Sequence, residues 1–130
     1  MFKKISAVVL SYVLMTSSVF GTMITPDGKT NTTVRVNGNV SDVHTGTVSG
    51  QTGFNSFSTF DVYQGHTANL YLPEGAKNLI NLVHDKISNI DGVLNAFKDG
   101  KIGGNVFFLN PNGIAVGASG VINVGALTLA

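Results

Sequence analysis

The sequence predicts an all-β chain that winds into a parallel β-helix. Three short apolar segments lie near the C-terminus, at residues 114–116, 121–124 and 127–129, and only glycine, alanine and serine separate them. Strands this short, joined by turns this tight, are typical of a chain that passes around the faces of a prism. A charged-residue content of only 12%, with 16 glycines, also favours stacked β structure over a helical bundle.

The composition excludes a strongly charged binding surface. Eight lysine and arginine residues stand against seven aspartate and glutamate residues, so the chain lacks the basic excess that nucleic-acid binding requires. The chain has no cysteine. Its stability therefore has to come from stacking and hydrogen-bond ladders rather than from disulfides.

Residues 1–21 have the pattern of a secretory signal peptide. Lys3 and Lys4 precede an apolar stretch at residues 5–20, and Gly21 offers a small residue for cleavage. The alternative is a single membrane anchor. The apolar stretch of about 16 residues is shorter than the roughly 20 that a spanning helix needs, so we expect a cleaved leader.

The first elements of the mature chain are expected to be a loop and two strands. Residues 22–32 are polar around a Pro-Asp-Gly turn, which predicts a mobile start. In residues 33–40, Val34, Val36 and Val40 share one face and polar residues share the other, which indicates a half-buried strand. Residues 43–50 predict a weaker strand.

A phenylalanine cluster follows. Phe54, Phe57 and Phe60 recur every three residues, but the serine, threonine and asparagine between them favour a kinked extended segment over a helix. We expect the three rings to pack in the cap that closes one end of the core. The alternative is an aromatic patch that faces a ligand.

The next segments predict strands and a repeat. Residues 68–72 alternate between apolar and polar before Pro73, and residues 79–83 are apolar. Residues 89–93 and 110–114 share the pattern Asn-x-Asp/Asn-Gly-apolar, which makes Asn89 and Asn110 equivalent positions of a repeat. The spacing of the two copies predicts one coil of a three-sided β-helix for about every 20 residues.

Three stretches of the sequence resemble a known family. Residues 56–73, 78–96 and 105–129 are similar in order and spacing to the two-partner secretion domain. That domain is the N-terminal haemagglutination-activity domain of filamentous haemagglutinin-like exoproteins. The resemblance covers about residues 37–130.

The resemblance implies a fold and a function. The fold would be a right-handed parallel β-helix with an N-terminal cap and antiparallel side strands. Residues 22–130 would form the N-terminal part of a secretion-targeting module, which the periplasmic domains of a partner outer-membrane transporter recognise and which nucleates β-helix folding outside the cell. The exoprotein would be a large adhesin, cytolysin or related protein that passes through the periplasm of a Gram-negative-type envelope and is then secreted or held at the cell surface.

The family's Asn-Pro-Asn-Gly motif falls on Asn110, Pro111, Asn112 and Gly113, whereas its second motif, Asn-Pro-Asn-Leu, has no match here. Proline presets φ for a turn, asparagine tolerates unusual φ, and glycine adopts positive φ freely. Asn110 can bond the backbone two residues further on. The motif therefore predicts a tight corner. Direct contact with the transporter is the second interpretation, and the two are compatible.

The last residues indicate a longer protein. The sequence ends in an apolar segment at residues 127–130 without the polar cap that a solenoid end needs. We therefore expect this chain to be the front part of a longer β-helix. Contact with a host-cell surface would belong to the missing C-terminal part.

A β-helix polysaccharide lyase or hydrolase is the alternative function. Such an enzyme needs clustered carboxylates or a calcium site, whereas the acidic residues here are spread from Asp27 to Asp99. His44, His66 and His84 show no ligand spacing. We expect no catalytic residues, no cofactor and no metal.

The leader assignment predicts that the exported protein begins near Thr22, because signal peptidase cleaves after a small residue that follows the apolar stretch. N-terminal sequencing of protein recovered from the periplasm or the medium measures this directly. Exported material that still begins at Met1 would contradict the assignment.

Overall fold

A computed structural model describes residues 23–130 and shows a chain coiled into a β-solenoid. The predicted signal peptide at residues 1–21 lies outside the described residues. Within them there are strands and no helix. The strands are β1 (Ile24–Pro26), β2 (Thr32–Asn37), β3 (Val40–Thr45), β4 (Thr47–Ser49), β5 (Thr52–Phe60), β6 (Thr67–Tyr71), β7 (Asn78–Val83), β8 (Ser88–Ile90), β9 (Val93–Lys98), β10 (Lys101–Ile102), β11 (Asn105–Leu109), β12 (Ile114–Val116), β13 (Val121–Asn123) and β14 (Ala126–Leu129).

The strands stack in three parallel sheets that form the faces of a prism. Face A consists of β5, β7, β11 and β14, and face B of β3, β6, β9 and β13. Face C is narrower, with β8 and β12 paired and Val62 bridged to Ile90. The chain visits the faces in the order B, A, C and completes about three coils. The predicted parallel β-helix is confirmed.

Most coils are longer than the sequence repeat suggested. On face B, Asn95 pairs with Asn69, and the two are 26 residues apart. The predicted equivalence of Asn89 and Asn110 is wrong, because Asn89 lies beside Ala115. The two similar motifs occupy different places in the coil, because Asn89 lies within β8, whereas Asn110 follows the end of β11. The last step on face A, from β11 to β14, is shorter than the steps before it and is close to the predicted length.

The first residues of the described chain close the open end of the core. β1 pairs antiparallel with β5, and Met23 and Ile24 are buried, 1% and 2% exposed. The prediction of a mobile start is therefore wrong for residues 23–26. β2 and β3 form an antiparallel hairpin over the same end. Gly38, with φ 61°, is the first of its two loop residues, where a type II′ turn requires glycine.

Two more antiparallel strands lie where the chain passes from face B to face A. β4 pairs with the start of β5, and β10 pairs with β9. The β9–β10 loop contains Asp99 and Gly100, both at positive φ, as a type I′ turn requires. These strands and the β2–β3 hairpin are the cap and side strands that the family resemblance implied.

The aromatic core lies under the cap. Phe57 and Phe60 are fully buried and pack edge to face, and Phe60 packs in the same way on Phe108. Phe54 does not join them. It lies on the outer side of β5, beside Ile80 of face A, and is half-buried. A register shift in the β1–β5 pairing, at the Phe57–Thr59 part of β5, lets Phe57 and Phe60 both point inward.

Polar residues inside the coil form a ladder that runs from one coil to the next. The Thr45 hydroxyl donates to Asn55 Oδ1 at 2.9 Å, and Asn55 Nδ2 donates to Asn81 Oδ1 at 3.0 Å. Asn81 Nδ2 then donates to the Phe107 carbonyl at 3.2 Å. Both asparagines are fully buried, and every buried side-chain polar atom of the described residues has a partner. The ladder thus satisfies its own desolvated groups.

A polar clamp holds the N-terminal segment against face A. Asp27 Oδ2 accepts the Ser56 hydroxyl at 2.5 Å and lies 3.4 Å from His84 Nε2, while Asp27 Oδ1 accepts the Lys29 N–H at 2.9 Å. Burial, the largest single influence, raises the pKa of the Asp27 carboxyl group. The two hydrogen bonds and the His84 and Lys29 charges together outweigh burial, so its pKa lies below the ordinary 3.8.

This lowered pKa predicts acid sensitivity of the cap. A carboxyl group whose pKa is lower in the folded state stabilises the fold above its ordinary pKa, and this contribution is lost as the pH falls through the folded value. We expect Asp27→Asn to lower the free energy of unfolding near neutral pH and to flatten its decline below about pH 4. Urea unfolding from about pH 2 to about pH 7 measures both effects.

Asp99→Asn is the matched control, because Asp99 is exposed and asparagine tolerates its positive φ. We expect the control to follow the wild-type pH profile. The clamp assignment would be wrong if Asp27→Asn and wild type had the same pH profile.

Candidate functional site

The residues 110–113 form the corner at which the chain leaves face A for face C. β11 ends at Leu109 and β12 begins at Ile114. The Gly113 N–H donates to the Asn110 carbonyl at 3.0 Å, and the Asn112 N–H donates to Asn110 Oδ1 at 2.9 Å. Gly113 has φ 108°. The residue types of the motif therefore meet the needs of a tight turn, with Asn110 bonding the backbone two residues on.

The side chain of Asn110 fastens this corner to the preceding coil. It is 3% exposed. Its Nδ2 donates to the Lys86 carbonyl at 2.8 Å and to Ser88 Oγ at 2.9 Å. All of its hydrogen-bonding capacity faces the protein, so Asn110 shapes the corner and is not presented at the surface.

Asn112 makes a second, more exposed link to the same coil. Its Nδ2 donates to the His84 carbonyl at 2.8 Å. Pro111 and Asn112 are exposed, and Ile87, next to Gly113, is 43% exposed. The corner thus displays proline, an amide and an aliphatic group to solvent.

The corresponding corner of the preceding coil, residues 84–87 between β7 and β8, is also fastened to the coil before it. Lys86 Nζ lies 3.3 Å from Asp61 Oδ2, and the Asn89 N–H donates to Asp61 Oδ1 at 2.9 Å. Asp61 is buried, and the ion pair and the hydrogen bond give its carboxylate oxygens partners in place of water. Three successive corners are therefore joined by side chains, from Asp61 through Lys86 to Asn110.

The clamp at Asp27, Ser56 and His84 contains the residue types of a catalytic triad without its geometry. His84 Nε2 lies 3.0 Å from Ser56 Oγ and 3.4 Å from Asp27 Oδ2, so serine and carboxylate share one ring nitrogen. In a triad the carboxylate binds the other nitrogen and the serine is open to substrate. Ser56 is buried and donates to Asp27. The cluster holds the N-terminal segment in place.

The remaining histidines are apart from one another. His44 stacks on Tyr71 at 4.6 Å, and His66 packs edge to face on Tyr63 at 5.7 Å. Burial raises the pKa of the Tyr71 hydroxyl, and the Asp42 carboxylate that accepts its hydrogen bond raises it further. Across residues 23–130, no three His, Asp or Glu side chains come together in a group that could hold a metal ion.

The partners of Asn110 could not be found from local sequence patterns. Lys86 and Ser88 lie 24 and 22 residues before it and belong to no motif. The signal that could have helped is the spacing of asparagines, since Asn55 and Asn81, and Asn69 and Asn95, are each 26 residues apart and hydrogen-bonded. That spacing equals the length of the coils that these pairs join.

The comparisons with known proteins identify a family. A family model described as the TPS secretion domain matches residues 22–130. No curated protein and no solved structure matches the chain significantly. The described part of the chain also has no helix long and apolar enough to cross a membrane.

The geometry of the corner predicts an order of mutational effects. Asn110→Ala removes three hydrogen bonds and leaves the Lys86 carbonyl and the buried Ser88 hydroxyl without this donor, so it should lower the free energy of unfolding by about 1–3 kcal/mol. Asn112→Ala removes one exposed hydrogen bond and should cost about 0.5–1.5 kcal/mol. Gly113→Val should cost about 1–3 kcal/mol, because valine is strained at this positive φ.

Chemical unfolding of the three variants measures these differences, with Pro111→Ala as an exposed control in the same turn. A Gly113→Val variant as stable as wild type would show that the turn does not need glycine. An Asn110→Ala variant no worse than Asn112→Ala would remove the distinction between the buried and the exposed asparagine.

Proposed function

Because this match covers the whole described chain, the protein belongs to the TPS secretion domain family, and we propose that it is the N-terminal targeting module of a large filamentous-haemagglutinin-type exoprotein. A partner outer-membrane transporter recognises the module through its periplasmic domains. The observation that carries this proposal is the family match over residues 22–130.

The family sets the general setting of the function. TPS secretion domains are targeting domains, not catalytic ones, and belong to proteins exported by two-partner secretion from Gram-negative bacteria. Such domains interact with an outer-membrane transporter. Beyond this general function, we propose that the periplasmic domains of the transporter recognise the chain, that residues 1–21 are a cleaved leader, and that the exported protein is of the adhesin type.

The corner at residues 110–113 is the part of the surface that we assign to recognition. Asn110 and Gly113 hold the turn, and Pro111 and Asn112 are turned to solvent. Proline and asparagine at a rigid turn give a partner a surface of fixed shape, so little conformational entropy is lost on binding.

Nucleation of folding is the second part of the proposed function. A solenoid gains stability as each coil stacks on the one before. Here the first coil is closed by Met23, Phe57 and Phe60 and therefore offers a finished surface on which the next coil can form. A chain that leaves a transporter with this end first would fold in the same direction.

The proposal predicts transporter-dependent release. We expect the leader-bearing chain to appear in the medium only when cells also make the outer-membrane transporter encoded with it. Immunoblots of medium, periplasm and cells measure the distribution. Equal release without the transporter, or complete periplasmic retention with it, would contradict the proposal.

A pair of corner variants separates shape from contact. Pro111→Glu changes an exposed side chain and should leave the melting temperature close to wild type, yet reduce release several-fold if Pro111 touches the transporter. Pro111→Ala is its control. If Pro111→Glu were released like wild type, the corner would serve folding alone.

A further inference from the structure

β2 is a free strand edge at the N-terminal end of the solenoid. Its six residues, Thr32–Asn37, pair with β3 on one side, and no strand of residues 23–130 pairs with the other side. Unpaired backbone groups on such an edge are a template for another extended chain.

The hydrogen bonds of the neighbouring strands define which backbone groups point outward. The Gly46 N–H donates to the Asn31 carbonyl at 2.7 Å, so in this antiparallel pair the hydrogen-bonded residues of β2 are Thr33, Arg35 and Asn37. The Thr67 N–H donates to the Asn39 carbonyl at 2.9 Å, which gives the same alternation from the other side of β3. The N–H and C=O groups of Val34 and Val36 therefore face away from the hairpin.

The other antiparallel edges of the described chain carry devices that block pairing. β1 contains Pro26 and a register shift, β4 has three residues, and β10 has two residues and begins with Lys101. Proline, bulges, short length and lysine are the features by which natural proteins protect sheet edges. β2 has a regular register, no proline and a single charged residue, Arg35. Among these antiparallel edges of the described chain, β2 is the one without such a feature.

The side chains along β2 indicate what kind of strand could pair with its free edge. Val36 is 41% exposed and Arg35 is exposed on the opposite side of the strand, while Val34 packs on the core. A strand laid on this edge would cover Val36 and face Arg35. A second copy in the antiparallel register centred on Arg35 would place two like charges opposite each other, which is destabilising. An acidic side chain at that position would be stabilising.

We propose that the free edge of β2 accepts an extended strand from the periplasmic part of the transporter, with an acidic residue opposite Arg35. This inference rests on the proposed function and adds to it a second place of contact, besides the corner at residues 110–113, together with the mode of contact there. Strand addition supplies affinity through backbone hydrogen bonds, and the side chains beside the edge supply selectivity.

Val36→Pro tests the edge. Proline at this position removes an outward N–H and keeps the hydrogen bonds to β3, and it is tolerated at strand edges. The probe is the purified periplasmic part of the transporter encoded with this chain, titrated by calorimetry. We expect Val36→Pro to weaken binding at least tenfold and the control Val36→Thr to weaken it less than threefold. Equal affinity of Val36→Pro and wild type would overturn the inference.

Arg35→Gln gives a second test that does not depend on how well Val36→Pro folds. Loss of the charge should weaken binding several-fold in low salt and reduce the salt dependence of the affinity. Unchanged affinity and salt dependence would contradict an acidic partner strand. Wild-type protein that fails to bind the transporter at all would overturn the proposed function itself.

Other occupants of the edge would give distinct results. Sedimentation that shows a wild-type dimer and a Val36→Pro monomer, with transporter binding unchanged, would place a second copy on β2. A stability loss of Val36→Pro in the leader-bearing chain, absent from the leader-free chain, would place residues 1–22 there. Either result would overturn the inference.

Discussion

The structure depends on the hydrogen-bonded register between successive coils. Each parallel strand gains its partners from a strand that lies one complete coil away along the chain, so no coil is stable by itself. Asparagines fix this register because each amide needs the amide or carbonyl of the neighbouring coil. A slip of one residue would move every buried amide to the opposite side of its strand and leave it unpaired.

The asparagine ladders recur on two faces and at a corner. Asn55 and Asn81 form the ladder inside the coil, while Asn69, Asn95 and Asn123 form one on the outside of face B. At the corner, the side chains of Asn110 and Asn112 donate to backbone carbonyls of the preceding coil rather than to another asparagine. The motif that the family resemblance points to is therefore part of the stacking interaction, and Asn112, one of the two exposed residues that we propose for recognition, also bonds the preceding coil.

Much of the architecture could be predicted from residue patterns. The three tail strands, the strand before Pro73 and the turn chemistry of Gly113 follow from apolar alternation and from the φ preferences of proline and glycine. The two similar Asn-x-Asx-Gly motifs lead to too short a coil, because they lie at different places in the coil, whereas the 26-residue spacing of the paired asparagines gives its length. The burial of Met23 and the contact of Asp27 with Ser56 and His84 could not be predicted, since they join segments that only the coiled fold brings together. The outward position of Phe54 could not be predicted either, because a register shift in the β1–β5 pairing changes which phenylalanines point inward.

Chemical unfolding of Asn81→Leu tests most directly whether asparagine ladders hold the coils in register. Leucine has a similar volume and is more apolar, so packing alone predicts equal or greater stability. If the ladders hold the register, the free energy of unfolding falls by at least about 2 kcal/mol, because Asn55 Nδ2 and the Phe107 carbonyl both lose a buried partner. A variant as stable as wild type would contradict this role of the ladders and would show that apolar stacking alone sets the register.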